Sequence, residues 1–283
     1  MKSAASKTAR KAALNIVSLG AVREMEGVLP CGAAEATARL LTESEVASRR
    51  AVQFSRTQTA VLIYRAFDWM TPGQFEAFAY RKAFCEGQVR DGINAGAGQV
   101  LVLGAGYDTL AWRLAPEFPN VGFLEIDHPA TADVKAKGIE SMGQAHNHHL
   151  IAKDLGECQL KDVLIESKAW DAKVQSIIIA EGLLMYLPPD AVGTLFKQCA
   201  AVSGAGSRIA FSYIGVRDNG QLDAGPWSWM VMWMLRGSGE PWLWGIKPVQ
   251  LGTFLGQNNW TFAPDLSPLT GKHGLEYFAT AER

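Results

Sequence analysis

The amino-acid sequence predicts an α/β fold with a doubly wound, mostly parallel sheet behind a helical N-terminal region. Apolar strand-like runs without strict alternation are separated by helical stretches, as in a parallel sheet covered on both faces. A glycine loop follows the first of these runs. The 283 residues are 48% hydrophobic and 19% charged. This composition supports a sizeable core and one or two domains.

The character of the sequence changes near residue 95, where we divide the chain. Residues 1–95 carry apolar residues three and four apart and are predicted to form a helical arm and cap. Residues 96–283 are predicted to form the main domain, with an insertion at about 217–248 that is rich in Gly, Pro and Trp and fits no regular period. The predicted strands are 99–103, 121–127, 174–180, 208–214 and 275–281, with a weaker candidate at 149–153.

Charge and apolar runs exclude several classes of protein. There are 27 Lys and Arg against 28 Asp and Glu, so no broad basic field is available for nucleic acid or an anionic membrane. The longest purely apolar run, 229–235, is far shorter than the ~18 to 20 residues of a membrane span. We therefore expect a cytoplasmic protein with a small-molecule substrate and no nucleic-acid or membrane partner. The oligomeric state is not set by the sequence.

Cysteine and histidine usage predicts no metal site. The four cysteines are widely spaced and include no Cys-x-x-Cys pair, which argues against a disulfide scaffold and a thiolate zinc site. The run His146-x-His148-His149 has no acidic or cysteine partner beside it in sequence, so a solvated loop is favoured over a metal tract.

The glycine loop LGAGYDT at 103–109 lies between the first strand and a helical stretch. In doubly wound sheets, ligands bind at the carboxyl ends of strands where the strand order reverses. Thr109 stands where a dinucleotide fingerprint has Gly or Ala, and the charge of Asp108 would repel a pyrophosphate. Gly104, Ala105 and Gly106 therefore favour a sulfonium donor such as S-adenosylmethionine over a nicotinamide dinucleotide. A plain turn without a ligand stays an alternative.

Three acids follow predicted strands. Asp127 ends the second strand, 23 residues after Gly104, where a carboxylate can accept both hydroxyls of a ribose or can cap a helix. Asp154 and Leu155 follow the third candidate strand, at the place where an adenine is expected, although such an Asp is often a cap or turn residue. Glu181 ends the most hydrophobic strand, where an acid is costly unless it faces a cleft or a cation.

Four motifs, taken in order, resemble the leucine carboxyl methyltransferase family over roughly residues 75–283. This family includes bacterial S-adenosylmethionine-dependent O-methyltransferases of polyketide and other secondary metabolism. The resemblance implies a class I methyltransferase-like fold with a Trp-rich substrate cap, and S-adenosylmethionine as the cofactor. The motifs are QVLVLGAGYDTLAWRL at 99–114, FLEIDHP at 123–129, AEGLLMYLP at 180–188 and GEPWLWG at 239–245.

The resemblance also implies a set of donor contacts. The family's arm motif is matched at Thr8-Ala9, but its arginine is not at the expected place. The implied residues are Arg81 for the donor's carboxylate, Gly104 with its loop neighbours Ala105 and Gly106 for the amino-acid end, Asp127 for the ribose, Asp154 and Leu155 for the adenine, and Glu181 for the methionine ammonium region.

Substrate recognition is predicted in the Trp-rich insertion. Trp229 and Trp233 offer flat apolar surface, Arg236 could pair a substrate carboxylate, and Glu240 could hold Arg236. The alternative is that the tryptophans only pack the cap onto the sheet. Tyr186 is the candidate for orienting the substrate, although an aromatic residue at this position is often a packing residue.

The predicted function is O-methyl transfer to a carboxylate or hydroxyl of a small, aromatic or polyketide-like molecule. A carboxylate acceptor is already ionised, whereas a phenol benefits from a base. Two alternatives are a methyltransferase for protein C-terminal carboxylates, as the family name suggests, and a non-catalytic S-adenosylmethionine-binding module.

Overall fold

Five adjacent parallel strands form the larger part of one eight-stranded sheet in the computed structural model of the chain, which describes residues 5–283. The parallel strands are β1 (Gln99–Leu103), β2 (Gly122–Asp127), β3 (His148–Ala152), β4 (Ser176–Ala180) and β5 (Arg208–Ile214). Antiparallel pairing adds β6 (Thr261–Phe262), β7 (Gly271–His273) and β8 (Glu276–Glu282). The order is β3-β2-β1-β4-β5-β8-β6, with β7 on β8, so the direction of the order reverses between β1 and β4.

Eleven α-helices are present within residues 5–283. The first five precede the sheet, and the other six lie between or after its strands. They are α1 (Lys7–Leu19), α2 (Ala33–Glu43), α3 (Arg49–Ser55), α4 (Gln58–Ala66), α5 (Gln74–Asn94), α6 (Leu110–Leu114), α7 (Pro129–Met142), α8 (Leu160–Ser167), α9 (Pro189–Ala201), α10 (Ser228–Ser238) and α11 (Pro248–Gln257).

Both faces of the central strands are buried, which explains why their sequences do not alternate. On one face, Leu101 packs in a cluster with residues of α8 and α9. On the other face, Val100 and Val102 pack with Phe84 and Val89 of α5. Each such side chain contributes about 1.5 to 3 kcal/mol when fully buried. The predicted α/β fold with a mostly parallel sheet is confirmed.

The strand predictions differ from the structure in small ways. The ranges 99–103 and 208–214 coincide with β1 and β5, and the weak candidate becomes β3. The short strands β6 and β7, which pair with β8 on the side away from β5, were not predicted, because two or three residues carry no apolar run.

The segment 217–248, which fits no regular period in the sequence, contains helix α10 at its centre. Its apolar residues point in every direction: Val231 is buried, whereas Trp229 and Trp233 are exposed. An amphipathic period is therefore absent, although the backbone is helical.

Helix α1 packs at the carboxyl-terminal edge of the sheet. Ala13 and Val17 of α1 share a cluster with Tyr107 of the glycine loop and Ile139 of α7. The division into an arm of residues 1–95 and a main domain of residues 96–283 stays a prediction. No helix within residues 5–283 combines the length and apolarity needed to cross a bilayer.

Candidate functional site

A cavity of about 940 Å³ lies where the carboxyl ends of β1 to β4 meet α1, α5 and α10. The structure brings ten of the residues predicted from the sequence into its wall. They are Arg81, Gly104, Ala105, Gly106, Asp127, Asp154, Leu155, Glu181, Tyr186 and Glu240. The other three, Trp229, Trp233 and Arg236, are not in the wall.

The glycine loop needs both of its glycines. Gly104 has φ +64°, and a Cβ on it would lie 2.8 Å from Cδ1 of Leu183. Gly106 has φ +48°, and its Cβ would lie 3.3 Å from Cβ of Ala9 in α1. Left-handed backbone at two of three successive residues favours glycine, and the small residues let β1, the arm and the segment after β4 approach one another.

Asp127 is tied to this loop, because its Oδ2 accepts a hydrogen bond from the backbone N–H of Gly106. Burial raises the pKa of the Asp127 carboxyl, and the hydrogen bond from Gly106 and the charge of Lys135 only partly offset this effect. The carboxylate at the end of β2 therefore faces the cavity as an acceptor that is fixed relative to the loop.

The helix-cap alternative for Asp127 does not hold, because His128 caps α7. Its Nδ1 accepts from the backbone N–H of Ala130 at 3.2 Å. Nε2 of His128 lies 3.6 Å from Oδ2 of Asp154. Oδ1 of Asp154 accepts from the N–H of Gly156 at 2.8 Å, so Asp154 is a turn residue and also part of the wall.

Five charged side chains form one largely buried network in the wall: Arg81, Lys82, Asp108, Glu181 and Glu276. Nε of Arg81 donates to Glu181 at 3.0 Å, and its Nη1 donates to Glu276 at 2.7 Å. Nζ of Lys82 lies 2.8 Å from Oδ1 of Asp108 and 2.8 Å from Oε1 of Glu181. Two cations and three carboxylates leave a formal charge of −1, which suits a ligand with a cationic group.

Two acids of this network, Asp108 and Glu276, are ionised at neutral pH. Burial opposes ionisation of Asp108, but the charges of Lys82 and Lys135 outweigh it and lower the pKa of Asp108 to about 2. Burial opposes ionisation of Glu276 too, and the neighbouring Arg81 guanidinium lowers the pKa of that carboxyl.

The ion pair of Asp108 weakens one step of the sequence argument. The repulsion between a pyrophosphate and Asp108 assumed an unpaired carboxylate in the loop. The structure pairs it with Lys82, and its Oδ1 also accepts from the backbone N–H of Thr109 at 2.7 Å. The choice between donors therefore depends on the other wall residues and not on this charge.

Sequence reasoning missed Lys82 and Glu276. Glu276 is 3% exposed and is the second residue of the predicted strand 275–281. The argument that singled out Glu181, a costly acid in an apolar strand, therefore applied to it as well. Lys82 gave no such signal, because a lysine in a helix is ordinarily solvated.

The guanidinium of Arg81 occupies space that a side chain at residue 182 would need, and Gly182 leaves it open. Its φ is +60°, and a Cβ would lie 3.2 Å from Nη1 and 3.4 Å from Nη2 of Arg81. The N–H of Gly182 donates to Oγ of Ser212 at 2.9 Å. The guanidinium therefore passes directly over a backbone that is fixed to β5.

Glu240 does not pair with Arg236, which corrects the expectation from sequence. Its carboxylate accepts hydrogen bonds from Oγ of Ser6 and from the N–H of Thr8, both at 2.9 Å. The first turn of a helix has unpaired N–H groups and favours negative charge, so Glu240 joins the segment after α10 to the start of α1.

The outer face of α10 carries the three predicted substrate residues that are absent from the wall. Trp229 is 69% exposed and Trp233 is 71% exposed, and Arg236 is also exposed. They lie at i, i+4 and i+7, which is one face of a helix, whereas Val231 and Leu235 face the cavity. Substrate contact from the outer three is therefore not supported by their placement.

Two aromatic residues near α10 do reach the site. Trp242 and Tyr186 line the cavity, whereas Trp244 is buried in the core. Burial raises the pKa of the Tyr186 hydroxyl, so it stays protonated at neutral pH and can donate a hydrogen bond. Its role in orienting a substrate stays a prediction.

The histidine run separates into different environments. His148 is buried, with its Nε2 3.7 Å from Glu125, which pairs with Lys135 at 2.6 Å. His146 and His149 are exposed. Across residues 5–283, no three His, Cys, Asp or Glu side chains are grouped so that they could hold a metal ion.

Comparison with known proteins places this geometry in a family. A family model described as leucine carboxyl methyltransferase matches residues 33–200, more than half of the chain. The chain belongs to this family. A protein of Mycobacterium ulcerans, provisionally named an S-adenosyl-L-methionine-dependent methyltransferase, is 33% identical over 141 residues. That match covers 49% of this chain and 46% of the relative.

A second relative, from Mycobacterium bovis and with the same provisional name, is 30% identical over 162 residues, which cover 53% of each chain. The matches thus span about half the length of these relatives. A crystal structure of a provisionally named methyltransferase from Thermobifida fusca superimposes over 92% of this chain and 97% of its own, with a TM-score of 0.59 and 16% identity. At that identity it supports the fold.

Proposed function

We propose that the chain binds S-adenosylmethionine and transfers its methyl group to an oxygen of a small, aromatic or polyketide-like molecule, at a carboxylate or a hydroxyl. One observation carries this proposal. The glycine loop, Asp127 and the pair of Arg81 and Glu181 line one cavity at the carboxyl ends of the strands, in a chain that belongs to the leucine carboxyl methyltransferase family.

The donor's two ends fit two regions of the wall. Asp127 would accept the ribose hydroxyls, and Asp154 and Leu155 would meet the adenine. At the other end, Arg81 would pair the donor's carboxylate and Glu181 its ammonium group. Nη2 of Arg81 makes no hydrogen bond to residues 5–283, although Nε and Nη1 do, so one edge of the guanidinium is available for a carboxylate.

The cavity is large enough for more than a donor. Its volume of about 940 Å³ lies near the upper end of the roughly 300 to 1,000 Å³ that ligand sites have. The wall beyond the donor residues is mostly apolar, with Phe78, Met185 and Trp242. This composition supports a flat, apolar acceptor.

The protein's task in methyl transfer is alignment. The reaction is an in-line displacement at the methyl carbon, in which the chain must hold the acceptor oxygen, the methyl group and the sulfur on one line. S-adenosylmethionine supplies the sulfonium whose methyl group is transferred. Tyr186 would orient the acceptor by donating a hydrogen bond.

Calorimetry and a methylation assay test the proposal. We expect the full-length chain to bind S-adenosylmethionine and its product S-adenosylhomocysteine, and not to bind NADH. We then expect formation of S-adenosylhomocysteine with a panel of aromatic acids and phenols. Tight NADH binding without S-adenosylmethionine binding would contradict the proposal. Binding of the donor without transfer to any member of the panel would instead favour a non-catalytic module.

A further inference from the structure

The cavity wall carries twice as many acids as bases among the described residues. The acids are Asp108, Asp127, Asp154, Glu157, Glu181, Asp190, Glu240 and Glu276, and the bases are Lys11, Arg81, Lys82 and Lys153. Four bases and eight acids give a formal balance of −4. A cleft of one sign concentrates ions of the opposite sign and repels ions of its own. The wall therefore favours a cationic donor and opposes a second, anionic ligand.

The four bases offer little to an anionic acceptor. Arg81 and Lys82 are buried, and both are paired with wall carboxylates at 2.7 to 3.0 Å. Lys153 pairs at 2.9 Å with Glu166, which lies outside the wall. Lys11 is exposed on α1, and so are the wall acids Glu157 and Asp190, so water and salt screen all three charges. Without these three residues, three bases and six acids still leave a formal balance of −3.

The acceptor region of the cavity is apolar and bounded by acids. With the adenine at Asp154 and the methionine end at Arg81, the remaining wall includes Phe78, Met185, Val231, Leu235 and Trp242. Two buried carboxylates of the same wall, Glu240 (6% exposed) and Glu276 (3% exposed), lie close enough to Tyr186 for their charges to act on its hydroxyl. Arg81, the one arginine among the described residues of the wall, is the one that the donor's carboxylate would occupy.

We infer that the acceptor presents an uncharged hydroxyl, and not a carboxylate, to the donor. This inference rests on the proposed function and its donor orientation. A carboxylate would leave water for an apolar surface beside two like charges, without a cation of its own. A hydroxyl brings no charge and can donate a hydrogen bond to a wall acid.

The transfer balances for a hydroxyl acceptor. A lone pair of the hydroxyl oxygen forms the new O–C bond to the methyl carbon while the C–S bond breaks. The bonding pair returns to sulfur, so the sulfonium becomes the neutral thioether of S-adenosylhomocysteine. The hydroxyl proton passes to water, and the acceptor leaves as a methyl ether.

Matched pairs of acceptors test this inference on the full-length chain. The probes are 1-naphthol against 1-naphthoic acid and a hydroxyanthraquinone against the corresponding anthraquinone carboxylic acid, with methylated product measured by mass spectrometry. We expect methyl ethers, with a kcat/KM at least about tenfold above that for methyl esters. Esters formed equally well or better overturn the inference, and so does the absence of any methyl ether from a protein that binds S-adenosylmethionine. Absence of S-adenosylmethionine binding contradicts the proposed function instead.

Two variants test whether the acids set this preference. The variants Glu276→Gln and Glu240→Gln each remove one negative charge with little change in shape. They are tested separately because Glu276 belongs to a buried network. We expect the inhibition constant of 1-naphthoic acid as a competitor to fall by about tenfold while that of 1-naphthol changes little. Glu140→Gln, which removes an exposed carboxylate of α7 outside the wall, is the matched control. If 1-naphthoic acid has equal inhibition constants in all three variants, the wall charge does not select the acceptor.

Discussion

The guanidinium of Arg81 lies over the bare Cα of Gly182, so closely that a Cβ there would be 3.2 Å from Nη1. This contact couples the helix before the sheet to the segment after β4, at the point where the methionine end of the donor is proposed to bind.

Replacing this glycine tests the coupling. Gly182→Ala adds a Cβ at φ +60° and pushes the guanidinium away from its partners. We expect a loss of about 1 to 2 kcal/mol in stability from the left-handed backbone, and weaker binding of S-adenosylmethionine by calorimetry. Gly252→Ala is the matched control, since a Cβ on this exposed residue of α11 meets no atom within 4 Å. Unchanged donor affinity in Gly182→Ala would remove Arg81 from the proposed site.

The charge of Asp127 is expected to set the pH dependence of donor binding. Burial raises the pKa of this carboxyl, so it becomes neutral at a higher pH than an ordinary Asp. Donor affinity should be complete above that raised pKa and fall as the pH drops through it. Asp127→Asn should lower the affinity by about 1 to 3 kcal/mol and flatten its dependence on pH. Calorimetry from about pH 8 to about pH 4 measures both. If Asp127→Asn keeps the pH dependence of the wild type, the pH dependence of donor affinity comes from another group.

Asp108 is expected to contribute to acid denaturation. Its pKa in the folded chain is about 2, against an ordinary value of 3.8, because Lys82 and Lys135 outweigh the effect of burial. Its contribution to stability is complete above pH 3.8 and is lost as the pH falls through 2; it amounts to roughly 2 kcal/mol. Asp108→Asn should lose this stability at neutral pH and should depend less on pH in acid. Urea unfolding over this range measures the difference, with the exposed Asp265→Asn as the control.

The contact of Glu240 with the first turn of α1 should hold the arm in place. In Glu240→Ala the oxygens that accept from Ser6 and Thr8 are lost. We expect a cost of about 0.5 to 2 kcal/mol, as for a lost helix cap, and faster hydrogen exchange in the first turns of α1. Glu35→Ala, an exposed acid of α2, should leave this exchange as it is. Equal protection of α1 in both variants would show that other contacts hold the arm.

The two faces of α10 should differ in their effect on the reaction. The double variant Trp229→Ser and Trp233→Ser changes only exposed side chains and should leave donor affinity and kcat/KM unchanged. Leu235→Ala opens the cavity wall and should raise KM for the acceptor. If the outer pair lowers kcat/KM and Leu235→Ala does not, the acceptor binds on the outer face.

Local sequence patterns predicted the sheet and ten residues that line the cavity, whereas tertiary contacts decide the rest. The strands β1 and β5 and the glycine loop are encoded in short runs whose burial or backbone needs are visible in sequence. The network of Lys82 and Glu276 joins residues almost two hundred positions apart, which no spacing reveals. Likewise, nothing in the alternation of Trp and Met shows that Trp229 and Trp233 face outward from α10.

The exposed tryptophans of α10 differ from the buried ones in a way that the intrinsic fluorescence of the chain can report. Trp229 and Trp233 are more than two-thirds exposed, whereas Trp260 is 2% and Trp244 5% exposed. Indoles in water emit at longer wavelengths and meet dissolved quenchers, and indoles in an apolar core do neither. The red edge of the emission spectrum, quenched by iodide, therefore reports on the exposed indoles, and its blue edge reports on the core. The exposed set also includes Trp69 (55%) and Trp227 (41%), so the part that belongs to the outer face of α10 is the part lost in the double variant of Trp229 and Trp233.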